Sequence, residues 1–453
     1  MAAQILAICI FVGMFLLIIL DKFERYYITL ASGALVLALV FGVCMHSMSA
    51  IWGTLNLPSI FTSGFWYGAS EEGNSGINWS TIFFIAGMMI MVEGLGKAGF
   101  FRWLCLTLAK LVRYRIVPLL VCFMVLSAVL SMFIDSITVV LFLATVTLEL
   151  AQTMKFNPIP MILSEVFCAN LGGAATMCGD PPNIIVGTSL GYTFFDFISN
   201  TGVAVAICFV LVLIYFVLCF RKRLLRDEKN SGAAVCPQRG TAITNRPAFL
   251  LSAGVFLLAV ILLATHAQTK LTVACIGVIV AALSLVVIGC TSGGKAVLEI
   301  IKGVDYKTLL FFIGLFVSVA GLKETGVLDV IARFITTVSG GNAAIIVVII
   351  LWISAVTSAF VDNIPFAATM IPVVRSIAAA SGIDMGVLAW ALSLGTDLGG
   401  NATPIGASAN VVGTSVAAKG GYPISWGVYC KYCVGATVLV IAVSMGYLFL
   451  RYL

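Results

Sequence analysis

Apolar runs separated by short polar stretches make up nearly the whole chain, and their lengths predict helices that cross a membrane. The first runs cover about 2–20 and 27–45. A polar loop, 46–79, follows, then a run at 80–97 and an amphipathic basic stretch, FFRWLCLTLAKLVRYR, at 100–115. A long apolar region, 116–152, is interrupted by Asp135, and a second, 159–190, contains NLGGAATMCGDPPNIIVG. A run at 201–220 closes the first half. After the hydrophilic linker 221–246, runs at 247–266, 271–290 and 307–325 precede an apolar region, 343–379, interrupted by Asp362. The chain ends with 386–417 and 428–449. Runs of about 18 or more apolar residues read as membrane helices.

The halves repeat. SAVLSMFID (127–135) matches SAVTSAFVD (354–362) at six of nine positions. Residues 170–183 match 397–410 at seven of fourteen, and TIFFIAGMMIMVEGLGKAG (81–99) aligns with TLLFFIGLFVSVAGLKETG (308–326). All three pairs lie 227 residues apart. Paired interrupted segments in two halves point to a transporter's midplane site. The predicted fold is an all-α membrane protein of two inverted repeats, with about ten spans, two re-entrant hairpins and two broken helices. The first repeat is 1–220, with hairpin 116–152 and broken helix 159–190. The second is 247–453, with hairpin 343–379 and broken helix 386–417. Each hairpin region has about 37 residues, enough for two arms and marginal for two full spans of ~20 residues.

Composition agrees: of 453 residues, 61% are hydrophobic and 10% charged, where soluble domains carry about 25% charged residues. The net charge of +6 therefore does not indicate nucleic acid, and its meaning lies in which loops hold the Lys and Arg. The linker carries Arg221, Lys222, Arg223, Arg226, Lys229, Arg239 and Arg246, so the positive-inside rule makes it cytoplasmic. Loop 46–79, with Glu71 and Glu72, is then external, and the hairpins enter from opposite sides. The thirteen Cys read as small core residues, and Cys430–Cys433 as helix sequence without metal partners. His46 and His266 lie at span ends. No HExxH, GxSxG or Walker loop occurs, so neither an intramembrane enzyme nor a built-in ATPase is expected.

Backbone leaves the helix inside a bilayer only where protein or a water-filled cavity satisfies it. Gly172, Gly173, Pro181 and Pro182 break the first segment. Gly399, Gly400, Asn401, Pro404 and Gly406 break the second. Pro suits the first turn of a restarting helix. Freed carbonyls, including those near Ala174–Cys178, can coordinate a cation, and restarting half-helices aim N–H groups at the same place. Na⁺ or H⁺ is the expected coupling ion, Na⁺ sitting at the two breaks, with no other cofactor. Asp135, Asp180, Asp362 and Asp397 all lie at breaks, and a charge at the bilayer centre costs at least ~2.5–3.5 kcal/mol. Ser136, Thr176, Asn183, Asn363, Asn401, Thr403 and Asn410 complete the candidate ion site. Glu93 and Glu165 are weaker candidates. Lys and Arg are nearly absent from these cores, Arg375 reading as a hairpin-foot residue. Cys168 and Cys178 lie near the first break.

The hairpin tips followed by GDPPN, and VDNIP followed by GGNATPIGASAN, resemble the ion transporter superfamily. The branch most similar contains arsenite permeases, NhaD-type Na⁺/H⁺ antiporters and the melanosomal P protein. Sodium–dicarboxylate symporters are more distant and carry Ser-Asn-Thr at their tips, where this chain has Asp135-Ser136-Ile137 and Asp362-Asn363-Ile364. Like charges there disfavour a dicarboxylate. The resemblance implies a secondary transporter of a small inorganic ion such as arsenite, coupled to Na⁺ or H⁺ and moving as an elevator. Na⁺/H⁺ exchange, an anion channel and dicarboxylate symport are the alternatives. It also implies a homodimer in a lipid bilayer, the plasma (inner) membrane if the source is a bacterium, and an ATPase subunit if the chain serves an arsenite pump.

Overall fold

A computed structural model describes residues 1–20, 22–68, 76–230, 242–243 and 245–453, without the side chains of 229 and 230. Glu71, Glu72 and residues 231–241 and 244 of the linker, Arg239 among them, lie outside the described residues, as does the Lys229 side chain. Among the described residues the secondary structure is helical, apart from one isolated bridge, Tyr67 to Leu271.

Among the described residues, eighteen helices fall into two sets of nine, with the surface helix Gly294–Gly303 and a few short helices besides. The first set opens with α1 (Ala2–Leu20), then α2 (Arg25–Leu35), which continues as a π-helical stretch, Val36–Cys44. It proceeds through α3 (Trp79–Lys97), α4 (Phe100–Leu111), α5 (Ile116–Ser131), α6 (Ser136–Met154) and α7 (Ile159–Gly173) to α8 (Pro181–Leu190) and α9 (Val203–Asn230). The second set opens with α10 (Arg246–Thr269), α11 (Val273–Ser292), α12 (Tyr306–Glu324), α13 (Val327–Val338) and α14 (Ala343–Ser358). It ends with α15 (Asn363–Ser381), α16 (Met385–Gly399), α17 (Ser408–Lys419) and α18 (Trp426–Tyr452). Helices α3 to α6 and α12 to α15 start and stop 227 residues apart, as the repeat predicts.

Side-chain contacts define two faces. Glu24 meets Lys307, Lys97 meets Glu299, and the Asn157 backbone N–H donates to Asp227 on one face, that of the linker. Gln4 meets Thr325, Asn78 meets Thr188, and Arg375 donates to the Ser189 carbonyl on the other. Helix α3 runs from the far face to the linker face and α12 runs the opposite way, so the repeats are inverted. Hairpin α5–α6 has its feet on the linker face and hairpin α14–α15 on the far face.

Among the described residues, ten helices are long and apolar enough to cross a membrane. Eight are the continuous spans expected; the other two are the second hairpin arms, α6 and α15. The broken helices escape that criterion because each is two short pieces. The hairpins are nonetheless re-entrant: α5 lies along α7 and α14 along α16, and each tip stops where its neighbour breaks. Loop 46–79 is less plain than its polarity suggests, containing the short helices Met48–Leu55, Leu57–Phe61 and Ser63–Trp66. The last helix of the first half also runs on past 220 to Asn230, because RKRLLRDEK keeps good helix formers after the apolar run ends.

The repeats interlock. Arm α6 packs on α17, and arm α15 on α8, so each hairpin clasps the other repeat's broken helix. Outside this core, α2 packs on α12 and α3 on α11. There the backbones touch: a Cβ on Gly87 would sit 2.2 Å from the Gly277 carbonyl oxygen, and one on Gly314 2.5 Å from that of Thr29. Small residues permit such close crossings in lipid. Residues 160–187 are buried without exception, while Val210, Ile214, Leu218 and Leu257 face outward. The protein is an integral, multi-pass membrane protein whose centre is its most enclosed part.

Candidate functional site

The first break runs from Ala174 to Asp180, between α7 and α8. Pro181 and Pro182 occupy the first turn of α8, where a missing N–H costs nothing. The Asn183 amide reaches back across the gap, donating to the carbonyls of Gly173 (3.2 Å) and Thr176 (3.0 Å). Thr176 Oγ1 donates to the Met132 carbonyl at the first tip, 2.5 Å away. The second break copies this. Asn410 donates to the carbonyls of Gly400 and Thr403, both at 2.8 Å, and Thr403 Oγ1 donates to the Ala359 carbonyl. Each carbonyl keeps a second lone pair.

Glycine has a different use here from the one its position suggests. Helix α7 passes through Gly172 and ends after Gly173. A Cβ on Gly172 would lie 2.1 Å from the Ala128 carbonyl oxygen, and one on Gly399 2.4 Å from that of Ala355. These glycines let the hairpin arm press against the broken helix. Gly406 is likewise packed against the carbonyls of Gly400 and Ser358. Pro404 lies in the turn between Gly400–Ala402 and α17.

Both tip carboxylates cap helices. Asp135 accepts from the Thr138 N–H at 2.9 Å and its hydroxyl at 2.8 Å. Asp362 caps α15 and accepts the Ser408 hydroxyl at 2.6 Å. It also pairs with Arg25 at 2.7 Å. The expectation that cations stay away from these cores is therefore corrected: Arg25 arrives from α2, which belongs to a different part of the chain. Ser136 donates to Asp180 at 2.6 Å. Its counterpart Asn363 is buried at the second tip.

Between the breaks, Asn170 donates to Asn401 Oδ1 (2.9 Å) and Asn410 Oδ1 (2.8 Å). Ser393 donates to Asn183 Oδ1. Asp397 is fully buried, and neither of its oxygens finds a hydrogen-bond partner; Asp180 Oδ2 is likewise without one. Glu165 lies deeper, accepting from Thr147 at 2.5 Å. Glu93 is half-exposed beside Lys97. Among the described residues no three His, Cys, Asp or Glu converge as metal ligands, so a cation held here would rely on carbonyl and amide oxygens beside the carboxylates.

Two cavities approach the core. One of about 490 Å³ opens on the linker-face half and is bounded by Arg25, Asp135, Cys178, Pro181, Asp362 and Ser408. The other, about 450 Å³, lies on the far-face half among Asn78, Thr188, Lys323, Asp329 and Arg375. The structure thus gathers Asp135, Ser136, Thr176, Asp180, Asn183, Asp362, Asn363, Asp397, Asn401, Thr403 and Asn410 around the tips and breaks. Arg25, Asn170, Ser393 and Ser408 belong with them and escape sequence reading. Only Asn170 carried a signal, standing 227 residues before Asp397.

Similarity to known proteins points the same way. A transporter of Mycobacterium tuberculosis, described as uncharacterized, is 33% identical over 451 residues, covering 99% of both chains. The 46 kDa membrane protein of Mycobacterium leprae is 32% identical over 454 residues, again 99% of both. The human P protein is 27% identical over 453 residues, with 83% of this chain matched to about half (53%) of that protein. The fold resembles the YdaH transporter of Alcanivorax borkumensis, with a TM-score of 0.56 at 15% identity, covering 87% of this chain and 88% of that one. The family model described as citrate transporter, CitMHS, matches residues 15–395. An inverted-repeat membrane core with two clasped hairpins, and a family match over most of its length, together make this chain a membrane transporter of the CitMHS citrate transporter family.

Proposed function

We propose that the chain is a secondary active transporter of a small inorganic ion, coupled to Na⁺ or H⁺. In this reading the hairpins open alternately to the two faces, and the clasped core moves as an elevator against the frame of α1–α3 and α10–α12. The linker face is cytoplasmic, by the positive-inside rule, and two copies associate in the bilayer. The observation that carries this reading is the meeting of two tips and two breaks around Asp180 and Asp397, where Asp180 Oδ2 and both Asp397 oxygens are buried without partners. Intramembrane acids facing a bundle interior mark ion pathways.

A carboxylate substrate such as citrate is the second reading. It is favoured by the family description and by Arg25, since guanidinium groups pair well with carboxylates. One proteoliposome panel separates the two: fluxes of Na⁺, H⁺, arsenite, chloride, dicarboxylates and citrate under imposed Na⁺ or pH gradients. Inorganic-ion flux driven by either gradient supports the first reading. Citrate flux alone replaces it with the second. Fluxes indifferent to both gradients overturn coupled transport.

A further inference from the structure

The two breaks share one geometry and differ in charge. Ser393, on α16, donates to Asn183, which sets Asp397, one helical turn further on, against the first break. Asp180 and Asn183 are the polar neighbours of Asp397, and the Asn183 amide spends its N–H groups on the Gly173 and Thr176 carbonyls rather than on that carboxylate. At the second break the equivalents of both these acids are gone. The position of Asp180 is taken by Ala407, whose Cβ lies 3.3 Å from where a side chain on Gly400 would begin. The position of Asp397 is taken by Asn170, whose amide is bonded to Asn401 and Asn410. The remaining acid there, Asp362, is paired with Arg25.

So the second break is lined by neutral amides, of which Asn170 Oδ1 and Asn401 Nδ2 are left without partners, and it is neutralised at its tip. The first holds three carboxylate oxygens, Asp180 Oδ2 and both of Asp397, without hydrogen-bond partners, on residues 2% and 0% exposed. Burying charge without a partner is strongly unfavourable, so this site is complete only with a positive charge in it. Carboxylate and carbonyl oxygens suit hard cations. The other charged groups near the pair are Asp135 and Asp362 at the tips, the latter paired with Arg25 from α2, while Glu165 on α7 is held by Thr147.

We propose that the first break alone is the coupling-cation site, taking one monovalent cation, Na⁺ or a proton, between Asp180 and Asp397. The second break is a closed copy that binds none. This rests on the coupled-transport reading above and specifies where its coupling ion sits.

The test uses substitutions that install the residue the other repeat already carries: Asp397→Asn, Asp180→Ala and, at the second break, Asn401→Ala. Thermal unfolding of the purified full chain is followed against NaCl at fixed pH, with choline as replacement, and against pH without Na⁺. Gradient-driven flux is measured in parallel. The NaCl arm identifies Na⁺ as the ligand and the pH arm the proton. The expected result is a wild-type midpoint in one arm that Asp397→Asn and Asp180→Ala shift by about tenfold or more, or abolish. Asn401→Ala shifts it by less than about twofold. If Asp180→Ala does not fold, Asp397→Asn decides alone. Equal sensitivity at both breaks, or a wild-type midpoint in the first-break variants, overturns the single site while gradient-driven flux leaves the transport reading standing. Absence of any cation effect on wild-type flux overturns both.

Discussion

Arg25, the first residue of α2, holds a guanidinium nitrogen 2.7 Å from Asp362 Oδ2, joining two segments 337 residues apart. Asp362 is 5% exposed at its side chain and Arg25 33%, so the acid is much the more enclosed partner. Removing one member of such a pair strands the other. Asp362 keeps the Ser408 hydroxyl, which softens the loss. Arg25→Gln should lower stability by about 1–3 kcal/mol, fitting a charge-assisted bond at a partly wet site. Arg25→Gln with Asp362→Asn should be more stable than Arg25→Gln alone. Thermal melts of the four members of this cycle check it, and additive losses would mean the pair is not coupled.

Asn183 and Asn410 each bind two carbonyls across a break. Replacing either by Ala leaves two buried acceptors without a donor. Each orphaned group costs about 1–3 kcal/mol, so Asn183→Ala and Asn410→Ala should destabilise by similar amounts. Unequal losses in denaturation would show that the two breaks, alike in geometry, are held differently. Pro181→Ala with Pro182→Ala is milder: Ala is favoured over Pro in a helix interior by about 3 kcal/mol, but the Asn183 clasp opposes a run-on helix. Ion affinity should fall while thermal stability changes little, as ion binding to the purified variant would show.

Gly172→Ala and Gly399→Ala should push the hairpin arms off the broken helices, because the new methyl would overlap backbone at 2.1 and 2.4 Å. Backbone cannot yield as a flexible side chain does, and overpacking typically costs 1–3 kcal/mol or more. Gly254→Ala and Gly446→Ala, which meet nothing within 4 Å, should be neutral or stabilising by up to ~1 kcal/mol. Yield and melting temperature of the four variants decide the point.

Sidedness is checked by labelling single cysteines at Lys222 and Thr62, both exposed. The background replaces the exposed Cys9, Cys44, Cys219 and Cys290. Lys222→Cys should react only after permeabilisation and Thr62→Cys in intact cells. Reaction of both from one side would refute the inverted topology.

The repeat is legible in the sequence because it preserves residue types at one spacing: Asp135 with Asp362, Thr176 with Thr403, Asn183 with Asn410. Interruptions of apolar runs mark the hairpins for the same reason. Arg25 is illegible because a basic residue beside a membrane span reads as a sidedness marker, and its partner lies in the other half. Ser393 is hidden for another reason: a lone hydroxyl inside a helix has no pattern until the facing helix is placed, and Asn170, though marked by the repeat, shows its partners Asn401 and Asn410 only then. Gly172 was legible as a helix breaker only in type, since its actual neighbour, Ala128, is set by packing.

The crossings of α3 with α11 and of α2 with α12, where Gly87 meets Gly277 and Gly314 meets Thr29, bear on mechanics. Where two backbones touch, no side chains are left to swap rotamers, and a sliding step would have to force main chain through main chain. Such a joint behaves as a weld. In the elevator proposed above, such joints would hold α3 with α11 and α2 with α12, and the travel would be taken at the softer seams where side chains alone meet.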